Sequence, residues 1–203
     1  MQGYKQILLK DMLDELGEEN TKTQLTMFSC PQNFDVECFI KQKAIEFAKQ
    51  NISPTYLVYA SYRDKPVLVG YYTITIKNFL IERSAVSKSL ANRIKKFASP
   101  SSRAKGYWIS APLIAQLGKN YANNYNKLIT GDELLEMACM QIKKAQAMIG
   151  GKIAYLECED KSKLVEFYSS NGFVEFGKRG LDRDEKDVVH GKYYIQMLKY
   201  LGK

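Results

Sequence analysis

The 203-residue sequence predicts a mixed α/β fold, with a central mixed sheet of about six to seven strands and helices flanking it. Two long runs of β-branched and aromatic residues flank a short polar turn, which is typical of a β-hairpin. The second half alternates strand, helix, strand, helix, and this order implies at least one βαβ unit. Apolar residues make up 45% of the chain and aromatic residues 12%, which suffices for a core and excludes disordered or low-complexity classes. We expect one domain spanning residues 1–203.

Two helices are predicted in the first quarter of the chain. Apolar positions at helical spacing mark residues 8–16, and a less regular stripe covers residues 34–51, with Asn33 or Asp35 as its capping residue. Between these helices, residues 23–28 alternate weakly between polar and apolar and predict a short strand. The N-terminal part is therefore expected to be mainly helical.

The clearest strand signal lies in residues 55–63 and 66–79. Both runs are dominated by β-branched and aromatic residues, and the dipeptide Asp64-Lys65 between them predicts a tight turn. The two runs are therefore expected to pair as an antiparallel hairpin.

Most of the net charge of +8 lies in one segment, residues 80–106, which we call the basic insertion. It contains seven basic residues and one acidic residue, a local net charge of +6. We predict a short helix at residues 89–97 and a flexible stretch at 98–102 within it. Such a charge run is compatible both with a solvated surface and with a surface that binds an anionic partner.

The second half contains the remaining strands and helices. The predicted order is a strand at 107–120, a long helix at 131–149, a strand at 152–160, a short helix at 161–173, and strands at 174–177 and 193–201. The polar loop before the long helix leads to a helix N-terminus, where backbone N–H groups bind anions such as phosphate. Every strand-to-helix junction has this property, so the loop is a weak signal by itself.

Cysteine and histidine usage argues against several kinds of site. The four cysteines form no CxxC pair and His190 is the only histidine, so we expect neither a metal site nor a Ser/His or Cys/His catalytic system. Four cysteines in this length are too few for a secreted disulfide scaffold, which favours a cytoplasmic protein. No apolar run approaches the ~18 residues of a membrane span, and the acidic residues near the N-terminus are unlike a secretory signal.

The C-terminal half resembles the GNAT N-acetyltransferase superfamily. The strand at 152–160 is followed by a helix with Phe167-Tyr168, and then Gly172-Phe173 opens the next strand, as in that family. The resemblance implies an acetyl-CoA donor bound between the strands at 111–119 and 152–159, with its pyrophosphate at the start of the long helix. The residues that it assigns to the donor are Ile114, Ala115, Gln116, Leu117, Asn126, Lys127, Leu128, Ile129, Thr130, Gly131, Asp132 and Phe167.

The predicted pyrophosphate loop departs from the family pattern, which is Arg or Gln, two residues, Gly, one residue, and Gly or Ala. Asn126 stands at the first position and Ile129 at the first glycine, so only Gly131 is retained. The first amides of the helix, from Gly131 to Glu133, are then the groups expected to bind a phosphate.

The front half carries a second resemblance. The Phe-x-Cys segment at 28–30, the helix after it and the Val-Gly-Tyr-Tyr-Thr strand at 69–73 are similar to a GNAT subgroup that includes toxins of bacterial toxin–antitoxin modules. Those toxins acetylate the amino group of aminoacyl-tRNA, whereas many other relatives act on small amines or proteins. Many relatives also pair as dimers, so a homodimer is a further expectation. The two resemblances together cover residues 28–176.

An RNA acceptor would contact the basic insertion, because phosphate contacts dominate nucleic-acid affinity. Adjacent strand residues face opposite sides, so Tyr71 and Tyr72 are expected to place one ring in the core and the other in the acceptor cleft. The residues that we assign to the acceptor are Tyr72, Arg83, Arg93, Lys95 and Lys96.

The reaction that the resemblance implies is direct attack of an amine on the acetyl thioester. A backbone N–H in the stretch 115–117 would polarise the carbonyl oxygen, and Tyr168, which matches the family's tyrosine, would protonate the leaving thiolate. Tyr168 also fits a packing role against the last strand. Asn120 stands where some relatives carry an acid, so a water relay or no general base is expected. The alternative is a GNAT-like binding module that holds RNA or protein through its basic face without catalysis.

Overall fold

The computed structural model describes residues 3–182 and 192–202, so His190 and most of the loop before the last strand lie outside the described residues. Eight strands within these ranges form one sheet in the order β1-β2-β3-β5-β6-β8-β7, with β4 paired to β5 at its side. The parallel pairing of β5 with β6 beside antiparallel neighbours confirms the predicted mixed α/β class. The strands are β1 (Tyr4–Leu8), β2 (Thr55–Tyr62), β3 (Lys65–Glu82), β4 (Ala98–Ser101), β5 (Gly106–Lys119), β6 (Ile153–Glu159), β7 (Val174–Gly180) and β8 (Tyr193–Tyr200).

Seven α-helices are present in the described part of the chain. They are α1 (Leu9–Leu16), α2 (Glu18–Thr26), α3 (Phe34–Cys38), α4 (Ala44–Lys49), α5 (Lys88–Ile94), α6 (Gly131–Ile149) and α7 (Ser162–Ser170). A π turn, Phe39–Lys43, joins α3 to α4, and 3-10 turns lie at Arg83–Ala85, Lys95–Phe97 and Ala122–Leu128. The long helix and the short helix predicted for the second half are both confirmed.

The N-terminal segment differs from the prediction at two places. β1, which pairs antiparallel with β2, is absent from the prediction, and the strand predicted at residues 23–28 is wrong because these residues lie largely in α2. Gly17 separates α1 from α2 at a φ of 77°, a conformation that glycine adopts without strain. Thr21 and Leu25, four residues apart, are both buried, so the weak alternation belongs to one face of a helix.

The helix predicted at residues 34–51 is confirmed, and Asn33 is its capping residue. The Asn33 side chain accepts a hydrogen bond from Val36 N at 3.2 Å, which satisfies one of the N–H groups that a helix start leaves unpaired. The π turn between α3 and α4 buries Phe39 and Ile40. Asp35 is therefore free of the capping role that the sequence also allowed.

The hairpin of β2 and β3 is confirmed, with its turn shifted by one residue. The turn residues are Arg63 and Asp64, whose φ values of 51° and 61° are those of a type I′ turn. This turn type is favoured because its twist matches that of the flanking strands.

The basic insertion consists of regular strand and helix segments rather than a flexible loop. Its first residues continue β3 to Glu82, and α5 follows with Ala91 and Ile94 buried. The flexible stretch predicted at 98–102 is wrong, because β4 pairs antiparallel with the first residues of β5. Strand pairing satisfies backbone groups that a serine-rich loop would leave to water.

The described chain divides into two compact units, each with its own core. Unit 1 contains residues 3–75 and 115–138, and unit 2 contains residues 76–114, 139–182 and 192–202. The core of unit 1 is built around Leu9, Phe28, Phe39, Ile40, Leu57 and Tyr71. The core of unit 2 is built around Phe79, Ile81, Ile94, Ile109, Tyr155 and Leu198. The expectation of a single domain stays a prediction.

Within unit 1, α3 lies against the backbone of β5 at Gly118. A Cβ atom at this position would lie 2.3 Å from Val36 Cγ1, well inside van der Waals contact. A Cβ on Gly70 of β3 would similarly lie 2.9 Å from the Gly118 carbonyl oxygen. The absence of side chains at these two glycines thus lets the helix and the two strands approach closely.

We expect Gly118→Ala to destabilise the protein by about 1–3 kcal/mol, because the added methyl group overpacks the contact with Val36. Urea unfolding followed by circular dichroism measures the change. Gly180→Ala is the matched control: nothing lies within 4 Å of its added Cβ, so its stability should match wild type. Adding Val36→Ala to Gly118→Ala should recover part of the loss, and equal stability of the two single glycine variants would contradict this packing.

Candidate active site

The predicted donor strand is the second half of β5. Ile114 is buried and lies in register with Leu156 of β6, inside unit 2. The next residues belong to unit 1: Ala115 is exposed, and Gln116 and Leu117 are half-buried. The stretch that the sequence assigns to carbonyl polarisation therefore presents at least one residue to solvent.

The loop that follows β5 is held in place from within unit 1. The Lys119 ammonium donates hydrogen bonds to the carbonyls of Asn126 and Ile129 at 3.1 and 3.2 Å. Tyr4 donates to the Leu128 carbonyl at 2.9 Å. Lys127 is exposed, whereas Ile129 is buried, so its side chain does not line an open surface. The loop is thus ordered by the Lys119 ammonium, which is hydrogen-bonded to two of its carbonyl groups.

The start of α6 carries a capping box. Thr130 Oγ1 accepts a hydrogen bond from Glu133 N at 3.1 Å, and the Glu133 carboxylate accepts from Thr130 N at 2.8 Å. The backbone hydrogen bond from Thr130 is the main reason that the pKa of Glu133 is lowered. Glu133 is therefore ionised at neutral pH and occupies the end of the helix where an anion would bind.

This geometry allows only a partial fit to a donor pyrophosphate. Of the amides assigned to it, that of Glu133 is already bonded to Thr130, while Gly131 N makes no hydrogen bond among the described residues. Asp132 and Glu133 place negative charge at the helix start, against which Lys119 supplies one nearby positive charge. The residues fit a phosphate at Gly131 that is held less strongly than a glycine-rich loop would hold it.

Asn120, the residue at the position where some relatives carry an acid, has a structural role. Its side-chain oxygen accepts hydrogen bonds from Ser29 N and Ala122 N, both at 3.0 Å, and its amide donates to the Leu68 carbonyl at 2.8 Å. Both its carbonyl oxygen and its amide thus form hydrogen bonds with neighbouring backbone, and neither is directed to a substrate.

A carboxylate that the sequence analysis did not assign to the site lies next to the donor strand. Asp35 Oδ2 accepts a hydrogen bond from Gln116 Nε2 at 2.9 Å. No sequence signal relates these residues, which are 81 positions apart. The Thr-x-x-Glu spacing of the capping box, by contrast, is visible in the sequence at Thr130 and Glu133.

Tyr168 lies on α7 in unit 2, with its ring packed among aromatic neighbours. Tyr168 is 9% exposed, and its ring makes edge contacts with Phe167 and Phe173 at centroid distances of 5.0 and 6.0 Å. Its hydroxyl has no hydrogen-bond partner in residues 3–182 and 192–202. Burial, and secondarily the nearby Cys158, raises the pKa of this phenol well above its usual value. Tyr168 therefore keeps its proton at neutral pH, and Phe167 packs beside it, half-buried.

A second carboxylate of unit 2, Glu157, is committed to structural contacts. It accepts hydrogen bonds from Arg179 at 2.8–2.9 Å, from Lys77 at 3.1 Å and from Tyr155. Burial raises the pKa of Glu157, but the bonds from Arg179 and Tyr155 outweigh it, so the pKa is below its usual value. A carboxylate stabilised in this way as an anion is a poor proton acceptor.

Both tyrosines of the Tyr71-Tyr72 pair are fully buried, which corrects the expectation that one of them opens into a cleft. Tyr71 donates to the Val36 carbonyl at 2.6 Å, and Tyr72 donates to Gln6 and stacks on Tyr56 at 5.1 Å. The sheet is covered on both sides at this point. An acceptor could not reach Tyr72 without displacing these contacts.

The predicted acceptor cations lie in unit 2 and are exposed. Arg83 lies over the Tyr107 ring at 5.4 Å and Arg93 over the Tyr200 ring at 5.2 Å, while Lys95 and Lys96 follow α5. These four residues form no ion pair with any acid in the part of the chain that the structure describes. We call them the basic surface. Exposed cations without an acidic partner, of which Arg83 and Arg93 also lie over aromatic rings, are available to phosphate groups.

Two further classes of feature are absent from residues 3–182 and 192–202. No group of three or more His, Cys, Asp or Glu side chains is arranged to hold a metal ion there. None of the helices described is long and apolar enough to cross a membrane.

Comparison with known proteins identifies the fold. No family model matches the sequence, and no curated protein matches it either. Solved structures do match: AtaT with acetyl-methionyl-tRNAfMet (TM-score 0.61, 17% identity, 95% of this chain and 93% of that one) is one. A Tyr-to-Phe mutant of the toxin AtaT with acetyl-CoA and the C-terminus of the antitoxin AtaR is another (0.61, 16%, 98% and 94%). A Tyr-to-Phe mutant of KacT is a third (0.61, 16%, 96% and 94%).

The chain has the fold of AtaT and KacT. This confirms the GNAT-type fold that the sequence resemblance implies. The low identity means that the likeness to AtaT concerns the fold and not the individual site residues. Donor, acceptor and catalytic assignments to particular side chains stay predictions.

Proposed function

We propose that this chain is an N-acetyltransferase that moves an acetyl group from acetyl-CoA to an amine. The observation that carries the proposal is the Tyr168 hydroxyl, which lies on a buried ring without a partner in the described residues, within the motif that resembles GNAT enzymes. The shared fold with AtaT, which has been solved with acetyl-CoA, supports it.

In this proposal, residues of unit 1 bind the donor pyrophosphate and polarise the acetyl carbonyl. Gly131 N and the turn that Lys119 orders hold the pyrophosphate. A backbone N–H in the stretch 115–117 donates to the carbonyl oxygen, on which negative charge grows as the amine attacks. The donor, when bound, supplies an activated acetyl thioester. The polypeptide therefore contributes mainly orientation and stabilisation of developing charge.

Tyr168 acts on the departing sulfur. A phenol whose pKa is raised by burial is a weaker acid than a thiol with a pKa near ~8.5. Its hydroxyl therefore stabilises the developing thiolate first as a hydrogen-bond donor, and the proton follows only as the carbon–sulfur bond breaks. The same raised pKa keeps the phenolic proton on Tyr168 across the neutral pH range.

A non-catalytic binding module is the second candidate, and the capping box of α6 favours it. Glu133 fills the anion position at the helix start with the protein's own carboxylate. If this carboxylate excludes the donor, the basic surface would still bind RNA. Donor binding therefore decides between the two candidates.

Acetyl-CoA is expected to raise the melting temperature of the purified chain, because a ligand that binds only the native state stabilises it. Glu133→Gln should increase this shift at the same donor concentration, since it removes negative charge from the start of α6. Scanning fluorimetry with and without acetyl-CoA measures both, and Glu136→Gln, on an exposed site further along α6, is the control.

No donor-induced shift in wild type or in Glu133→Gln, together with retained RNA binding, would favour the binding module. Where donor binds, incubation with labelled acetyl-CoA and fractionated cell extract asks whether label enters RNA, protein or small amines. The fraction that takes up label identifies the class of acceptor.

Tyr168→Phe is expected to lower turnover by about 10²–10⁴-fold, the range for loss of a general acid. The donor-induced shift in melting temperature should stay at the wild-type value, because the ring and its packing are kept. Steady-state rates on any accepted amine measure the effect. Tyr62→Phe removes a hydroxyl from an exposed ring and serves as the control. Wild-type turnover in Tyr168→Phe would assign this ring a packing role alone.

For the acceptor we favour aminoacyl-tRNA, with the basic surface binding its phosphates. Two observations support this choice: the net charge of +6 in the basic insertion, and the lack of an acidic partner for Arg83, Arg93, Lys95 and Lys96 among the described residues. AtaT, which shares the fold, has been solved with acetyl-methionyl-tRNAfMet.

Replacing Arg93, Lys95 and Lys96 by Gln together should weaken tRNA binding and reduce its salt dependence. Each lost phosphate contact removes about 0.7–0.9 from the slope of log affinity against log salt. Filter binding of charged tRNA across a salt series measures the slope. The control is Lys10, Lys22 and Lys65 replaced by Gln, which changes the net charge equally on exposed sites of unit 1. An equal loss in both triple variants, or no salt-sensitive binding by wild type, would contradict a specific RNA surface.

A further inference from the structure

Asp35 is the carboxylate that lies against the donor strand of unit 1. Its Oδ2 accepts a hydrogen bond from Gln116 Nε2 at 2.9 Å, while Oδ1 has no partner among the described residues. The side chain is half-buried and forms no ion pair there. One oxygen is thus fixed by the strand, and the other is free to accept a hydrogen bond.

The position of Asp35 follows from the packing of α3. Asn33 caps the helix, and the next turn lies on Gly118 through Val36, so the residue between them is brought to the side chain of Gln116. Gln116 and Gly118 are two residues apart and therefore face the same side of β5. The same contact that fixes the helix thus fixes the carboxylate.

Neighbouring polar groups of α3 are committed elsewhere. Glu37 pairs with Lys41 at 2.6 Å and accepts from Cys30 N at 2.6 Å. The Tyr71 hydroxyl donates to the Val36 carbonyl. Asp35 is therefore the acid of α3 that keeps an unused acceptor atom.

We propose that Asp35 binds the amino group of the acceptor and that Gln116 is the positioning residue that holds its carboxylate. The inference rests on the proposed acetyl transfer, because Gln116 lies in the stretch whose backbone N–H polarises the acetyl carbonyl. A carboxylate oxygen recognises the ammonium form of an amine by a charge-assisted hydrogen bond and accepts an ordinary hydrogen bond from its neutral form.

The acceptor enters as an ammonium and gives one proton to Asp35, directly or through a water molecule. The nitrogen lone pair then forms the carbon–nitrogen bond of the amide as the carbon–sulfur bond breaks. The electron pair of the broken bond leaves on sulfur, which takes the Tyr168 proton. The nitrogen loses its second proton as the amide forms, and this proton returns through solvent to the phenolate of Tyr168, while Asp35 releases the first proton to solvent.

The test uses the full chain and two acceptors: a charged tRNA and an amino-acid methyl ester, which presents the same amine without phosphate. Asp35→Asn should reduce kcat/KM for both acceptors by about 10- to 100-fold, the loss of one hydrogen bond to a charged group. Much of the effect should appear in the KM for the amine, and the melting-temperature shift caused by acetyl-CoA should be unchanged. Asp64→Asn is the control, because this turn residue is exposed and Asn also tolerates its positive φ.

Gln116→Leu should have a smaller effect of the same kind, because it frees the carboxylate without removing it. Asp35→Glu, which keeps a carboxylate, should retain more activity than Asp35→Asn, and a merely structural acid at the helix start would not explain this difference. Kinetics of Asp35→Asn equal to those of Asp64→Asn would overturn the inference, as would a loss that follows the unfolding temperature across all of these variants. If wild type binds acetyl-CoA but acetylates neither acceptor, the inference fails for these amines. If wild type does not bind acetyl-CoA, the proposed function fails with it.

Discussion

The packing of α3 on the bare backbone at Gly118 is the contact on which the geometry of unit 1 depends. Because no side chain separates them, Val36 reaches the strand and the helix lies closer than ordinary side chains would allow. Asn120, two residues further along, fastens the segment before this helix through its bond from Ser29 N. A glycine and a buried amide thus set the distance between helix and strand, and through it the meeting of Asp35 with Gln116.

Charge at the start of α6 determines what this fold can hold there. A helix N-terminus favours an anion, and in this chain a Glu133 carboxylate already takes that place. The benefit is local stability, since the capping box satisfies two N–H groups. The drawback is competition with any phosphate that approaches Gly131. The Glu133 carboxylate and a donor phosphate compete for the start of α6. Which of them binds there more tightly, rather than the fold, distinguishes an active transferase from a binding module with the same architecture.

Local patterns predicted most elements well, and the errors at β4 and Tyr72 arise from pairing and burial that a residue's own preference does not encode. The hairpin, α6 and α7 follow from runs of residues whose own preferences agree with the final structure. β4 was predicted as flexible because its Ala-Ser-Pro-Ser sequence has no strand preference, and only pairing with β5 makes it a strand. The ring of Tyr72 was expected in a cleft because alternation tells which face a residue occupies but not whether that face is covered. For the site, motif resemblance drew attention to Tyr168, but Asp35 is brought to β5 by tertiary packing alone.

The acid and base strengths available here favour a particular kind of amine. A carboxylate is a weak base, and a phenol whose pKa is raised by burial is a weak acid, so neither drives a large change in protonation. A lysine side chain has a pKa near ~10.4 and is almost fully protonated at neutral pH, so removing its proton is costly. An α-amino group, with a pKa near ~7.7–8.0, is partly neutral already. An ester on the neighbouring carbon withdraws electrons and lowers that value further. In the proposed reaction, the α-amino group of an aminoacyl ester would therefore need little more than orientation by Asp35. In that reaction, aminoacyl-tRNA would supply this amine together with phosphate groups that suit the cations of the basic surface.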